Sequence, residues 1–185
     1  MEKALAIQRE VGDRRAIAWI FHPLGDLAHE EGDLMRAASF YSESLDIFRD
    51  LGDKEGIASS LGNLGDFSLV QGDYSAARSL YEQSLAMWRE IGDKQGIVLS
   101  LAGLGEVAVE NGQPQRGARL LGASDELSDA IGAVMEPTVR IPYDRAVTSG
   151  CAQLGEKAFE EARQEGRDMS MEQAIEYALE DTTSR

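Results

Sequence analysis

The chain has 185 residues, 43% of them hydrophobic and 28% charged, a balance that fits a folded domain and argues against disorder. Its 33 acidic against 18 basic residues leave a net charge of −15, which repels phosphate backbones and anionic lipid and favours basic partners. No stretch approaches the roughly 18 consecutive apolar residues of a membrane span, and the single cysteine, Cys151, permits no internal disulfide and suits a reducing, cytoplasmic compartment.

The opening residues, MEKALAIQRE, interrupt their apolar positions with charges, unlike the continuous core of a secretory signal. They align with text forty residues on: Leu5 with Leu45, Ile7 with Ile47, Gly12 with Gly52. Residues 1–11 thus read as the second helix of a pair whose first helix is missing. We expect a piece of a longer solenoid, with Ala4, Leu5 and Val11 lacking their own-repeat partner and self-association through this end.

Three units follow, 13–52, 53–92 and 93–132. Gly12, Gly52, Gly92 and Gly132 are spaced by 40 residues, as are Gly32, Gly72 and Gly112, and Gly25, Gly65 and Gly105. Each unit reads as two helices. Ile57, Leu61, Leu64 and Ser68 fall on one face of the first, and Ala77, Tyr81, Leu85 and Trp88 on one face of the second. Gly-Asp pairs mark the corners, because glycine adopts the left-handed conformation that ends a helix and aspartate accepts the orphan N–H groups that begin the next. Corners this short make neighbouring helices antiparallel. Gly25 with Ala37, Gly65 with Ala77 and Gly105 with Gly117 are expected as small-residue contacts that let the helix backbones approach. Pro23, well inside the first helix of the first unit, is expected to kink or interrupt it near Trp19–His22.

Beyond Gly132 the period fails. Pro137 and Pro142 bracket the start of a further helix running to about Leu154, EKAFEEARQE reads as another, and SMEQAIEYALED as a last one with Ser170 and Gln173 as a capping box. Residues 133–185 are expected to form a C-terminal helical cap. The whole is an all-α, right-handed solenoid of antiparallel helix pairs, about ten helices in total.

The repeat resembles the tetratricopeptide repeat. Its pattern of a large apolar residue, Leu-Gly, a small residue, an aromatic and another small residue is met by Phe21, Leu24, Gly25, Ala28, Ala37, Tyr41 and Ser44, and by Leu61, Leu64, Gly65, Ser68, Ala77, Tyr81 and Ser84. The third unit departs from it with Gly117 and Leu121. The 40-residue period, with LGNLG and GDKxGIA, looks like the branch found in kinesin light chains, the spindle adaptor Pins and bacterial regulators. RGARLLGASDEL, followed by LGEKAFEEARQEGRDMSMEQAIEYAL, looks like the C-terminus of bacterial signal-responsive ATPases and transcriptional regulators, where such a region is a sensor or scaffold arm. That resemblance implies protein or peptide binding. In the related adaptors an asparagine at the site of Asn63 reads the backbone of an extended peptide; Pro23 and Gly103 stand at the equivalent sites here.

No catalytic signature emerges, and no cofactor or metal is expected. Gly150 to Gly155 is followed by Glu156-Lys157 where a phosphate loop requires Lys-Ser/Thr. GASDE around Ser124 lacks the closing glycine of a nucleophile elbow, and Cys151 reads as a structural thiol. His22, Asp26 and His29 fall on one helix face, but i to i+7 spans about 10 Å at 1.5 Å per residue, too far for one ion to take all three. The concave side is expected to be lined by the first helix of each pair and to form a partner-binding groove: Trp19, His22, Asp26 and Glu30; Ser59, Asn63, Asp66 and Val70; Leu99, Ala102, Glu106 and Glu110. Its carboxylates would prefer a basic protein segment, with Trp19 as an apolar anchor. The alternative is a small-ligand sensor module of a transcriptional regulator.

Overall fold

The computed structural model describes residues 13–133 and 137–180, so the expected helix at 1–11 lies outside the described residues. Nine helices and no strand occur among the described residues: α1 Arg14–Glu30, α2 Leu34–Leu51, α3 Lys54–Val70, α4 Tyr74–Ile91, α5 Lys94–Glu110, α6 Pro114–Ile131, α7 Pro137–Leu154, α8 Glu156–Arg167 and α9 Met171–Leu179. The first six repeat one length pattern, 17 residues then 18. Their contacts fit a tetratricopeptide-like helical solenoid.

The corners form for local reasons. Gly52 and Gly92 end α2 and α4 at φ 65 and 80, where a side chain would meet the backbone. Asp13, Asp33, Asp53, Asp73 and Asp93 each accept from the backbone N–H three residues on, satisfying an orphan donor. The sixth helix departs: Gln113 supplies no side-chain cap, and Pro114 begins the helix instead. Within a pair the chains run oppositely, since the Ser44 hydroxyl reaches the Ala18 carbonyl while the Tyr41 phenol reaches Asp26.

Serines 40 residues apart tie each pair. Ser44 donates to the Ala18 carbonyl at 2.9 Å, Ser84 to Ala58 at 2.8 Å and Ser124 to Val98 at 3.0 Å, all buried. Small residues thus admit close helix approach and satisfy their own hydroxyls in doing so.

Two expectations are corrected. Of the kink or interruption expected at Pro23, the interruption is absent: α1 runs through the proline, whose ring is on the exposed side, where water can satisfy the carbonyl that it leaves unpaired. The glycine notches of the first two units hold tyrosine rings rather than alanines. A Cβ on Gly25 would stand 2.4 Å from the Tyr41 ring, and one on Gly65 3.0 Å from the Tyr81 ring. Only in the third unit do backbones meet as expected, where a Cβ on Gly117 would lie 2.7 Å from the Gly105 carbonyl oxygen.

The capping box at Ser170 and Gln173 is present. The three C-terminal helices do not simply prolong the stack. α8 lies so close on α6 that a Cβ on Gly122 or Gly166 would come within 2.0 Å of a carbonyl oxygen of the opposite helix, Arg163 and Arg119 respectively. α7 packs against α5, α6 and α8. α9 folds back onto α4, α5 and α6, with Ala174, Ile175 and Ala178 buried against Ile97, Leu101 and Leu104. Arg116 fixes its end by donating to the carbonyls of Tyr177 and Ala178, each at 2.9 Å.

Candidate partner-binding groove

The curvature of the stack follows from which helices touch. α1 contacts α3 and α3 contacts α5, whereas α2 and α4, or α4 and α6, make no comparable contact. First helices therefore sit on the inner, more crowded side.

The twelve groove candidates on that side divide by exposure. Asp26, Glu30, Asp66, Val70, Leu99 and Glu110 are open to solvent, and Trp19, Ser59 and Asn63 are half-buried. His22, Ala102 and Glu106 are buried, which corrects their expected place on an open surface. The reason for Ala102 is the cap: Tyr143 and Ala146 of α7 pack into one core cluster with it. Gly103 is closed as well, because a Cβ there would lie 2.5 Å from the Tyr81 ring. The inner side is thus open along α1 and α3 and covered by α7 over much of α5.

Trp19 does not stand free as an anchor. Its ring meets Phe48 edge-on at a centroid distance of 4.9 Å and His22 at 5.2 Å. His22 occupies the site held by Gly62 and Ala102 in the later units. Its Nε2 shares a 2.9 Å hydrogen bond with Ser60 Oγ, which lies 3.3 Å from Ser44 Oγ. Burial of the imidazole, 7% exposed, lowers its pKa to about 4, so it stays neutral. Asp26 and His29 have other engagements, Asp26 with Tyr41 and His29 edge-on to Phe67. Among the described residues no group of three His, Cys, Asp or Glu side chains is placed to hold a metal.

The electrostatics of the inner side are set by one repeating pair. The Tyr41 phenol donates to Asp26 Oδ1 at 2.6 Å, and the Tyr81 phenol to Asp66 Oδ1. Both phenols are pushed up from their ordinary pKa, by burial first and by these carboxylates next. Asp66 keeps open surface, yet the walls of the stack crowd its carboxyl. That loss of solvent raises its pKa to about 6 against the pull of the Tyr81 hydrogen bond, with the charge of Asp26 adding to the rise. In the third unit Leu121 replaces the tyrosine. Glu106 there is pushed up to about 8, by burial first, then by Asp66 and Glu110, with Arg145 of α7 acting in the opposite direction.

Sequence reading missed two contributors, Arg145 and the paired function of the phenols. Tyr41 and Tyr81 were legible as repeat aromatics, and the 40-residue spacing they share with Asp26 and Asp66 is the signal that links them. It missed as well the cap network, where Asp125 accepts from Tyr143 at 2.6 Å and from Arg163 at 2.9 Å.

Residues 56–121, which cover most of α3, all of α4 and α5 and the first part of α6, match the family model of the tetratricopeptide repeat, a module that generally mediates protein–protein interaction. No curated protein matches the chain. No described helix is long and apolar enough to cross a membrane.

Proposed function

We propose that this chain is a non-enzymatic scaffold that binds a basic protein or peptide segment along the inner side of α1 and α3, as the repeat arm of a larger bacterial regulator in the cytoplasm. Residues 1–132 form the repeat array in this reading and residues 133–185 its cap. Self-association through residues 1–11 belongs to the same reading, although that segment lies outside the described residues.

The observation that carries it is the run of open carboxylates Asp26, Glu30 and Asp66 on the crowded side of a curved stack, with half-buried Asn63 among them. A channel lined by one sign of charge concentrates ligands of the opposite sign. The net charge of −15 adds long-range attraction in the same direction. The alternative, a small-ligand sensor module of a transcriptional regulator, finds no support in the cavity lined by Leu104, Val107, Arg116 and Leu120, which at about 20 Å³ has room for about one water.

The double variant Asp26→Lys with Asp66→Lys tests the reading. Each residue also accepts from a buried phenol, Tyr41 or Tyr81, so Asp26→Asn with Asp66→Asn, which keeps an acceptor oxygen at both places, is measured beside it, and circular dichroism checks that each variant is folded. Binding of an acetylated, amidated octapeptide of alternating lysine and alanine is expected to be lost, together with its salt dependence. Unchanged binding and salt dependence in a folded double variant would remove the groove from consideration.

A further inference from the structure

The inner line of carboxylates ends differently from how it begins. Asp26 and Asp66 each hold a phenol, but Glu106, 40 residues beyond Asp66, belongs to the unit where Leu121 takes the place of the tyrosine, and it is only 7% exposed. Among the described residues it takes part in no hydrogen bond and no ion pair. No fully buried side-chain oxygen or nitrogen lacks a partner among those residues, so the unpartnered Glu106 oxygens must hold the little surface this residue keeps. The carboxyl looks out of the fold through a narrow opening.

What surrounds it is mostly of its own sign. Asp66 faces it from α3 and Glu110 from the next turn of α5; Arg145 on α7 is near enough to moderate them without forming an ion pair. The phenol of Tyr81 on α4, which also feels Glu106, is already committed to Asp66. A carboxyl buried without a donor is unfavourable as an anion, and its pKa near 8 means that it carries a proton at neutral pH. A metal ion would need a third ligand in place, and no such group occurs among the described residues. An ammonium or guanidinium needs only the two carboxylates.

We propose that the junction between Asp66 and Glu106 receives one cationic side chain, lysine or arginine, from the protein partner, and that Glu106 releases its proton as the cation enters. This subsite presupposes the basic partner inferred above and adds its point of insertion. Before binding, the pair holds one negative charge, on Asp66. Afterwards both carboxylates are ionised against the incoming cation, and the proton has gone to solvent. Partner affinity is therefore linked to pH through Glu106.

Calorimetric titration of the alternating lysine–alanine octapeptide, in two buffers of different ionisation enthalpy, reads the proton directly. The expected result is about one proton released per peptide near pH 7, with affinity rising up to about tenfold per pH unit toward pH 8 and levelling above it. In Glu106→Gln, whose amide has no proton to release, both the release and the pH dependence are expected to vanish. A carboxyl carbon NMR titration of Glu106 in the wild-type protein, with and without peptide, gives the same answer with no substitution; its midpoint is expected to fall on binding. Binding without proton release, or with an unmoved Glu106 midpoint, overturns the subsite and leaves the groove reading standing. Failure of the wild-type protein to prefer this peptide over one alternating glutamate and alanine overturns both.

Discussion

The second and third helix pairs are built on one plan and differ in what covers them. Asp66 and Glu106 hold corresponding positions, yet Asp66 accepts a phenol and keeps open surface, whereas Glu106, in the unit where Leu121 stands in place of the tyrosine, is buried and feels Arg145 of α7. Gly65 is a notch for a ring; Gly105 and Gly117 let two backbones meet. The comparison teaches that a repeat sets the framework of each pair, while the element packed against it decides the chemistry of its inner face. A carboxylate that accepts a phenol at the surface in one unit becomes a protonated, buried acid without a donor in the next.

The sharpest way to break the comparison is to detach the cap from the third unit. Gly122→Val places a side chain where a Cβ would already stand 2.0 Å from the Arg163 carbonyl oxygen. Backbone on backbone has no flexible end that can yield. The expected loss is about 3 kcal/mol or more in chemical denaturation, whereas Gly65→Ala, which meets only a side-chain ring at 3.0 Å, is expected to lose much less. Equal losses would show that α8 does not depend on that close crossing.

Two buried titratable groups give opposite pH slopes and so separate the ends of the stack. His22 has a folded pKa of about 4, below its ordinary 6.5, so the unfolded chain binds the proton first. Stability is therefore expected to fall as the pH drops from 6.5 towards 4, by on the order of 3 kcal/mol from this group. His22→Asn is expected to remove that slope from urea unfolding measured across the window. Glu106 behaves in the reverse sense. Its folded pKa of about 8 lies above the ordinary 4.5, so its contribution to stability is full below 4.5 and is lost as pH rises to 8. Glu106→Gln is expected to be more stable than wild type at pH 8, by on the order of 4 kcal/mol, and about equal to it at pH 4.5. If Glu106→Gln is destabilised at pH 8, the carboxylate has a donor there and is not the unpartnered group described above.

The smallest expected effect concerns the corner that differs from the rest. Gln113→Asp would give α6 the side-chain cap that Asp33 and Asp73 give α2 and α4. The expected gain is about 0.5–1 kcal/mol, seen as a small rise in melting temperature. No rise would mean that Pro114 already organises that first turn.

Much of the architecture was legible before any coordinates. The 40-residue spacing of the glycines, the aspartates that follow them and the apolar stripes on each helix act within a few residues of themselves. Left-handed φ at Gly52, the Asp53 cap and the Ser170–Gln173 box needed no distant partner to be read. The candidate groove was legible in part. Asp26, Glu30 and Asp66 were placed on an open inner side, but His22, Ala102 and Glu106 were placed there too, because helical phase gives a direction and not what lies in that direction.

By itself, then, the sequence determined the helices, their corners, their pairing and the inner line of acids, because each depends on local conformational preference or on a periodicity that repeats in the text. Only the tertiary structure decided that tyrosine rings fill Gly25 and Gly65, that α7 covers Ala102, that Glu106 is buried, and that α9 folds back onto α4, α5 and α6. Those outcomes depend on residues far apart in a segment where the period has ended. The burial of a charge depends on whichever surface arrives to exclude water from it, and no pattern within α5 carries that information.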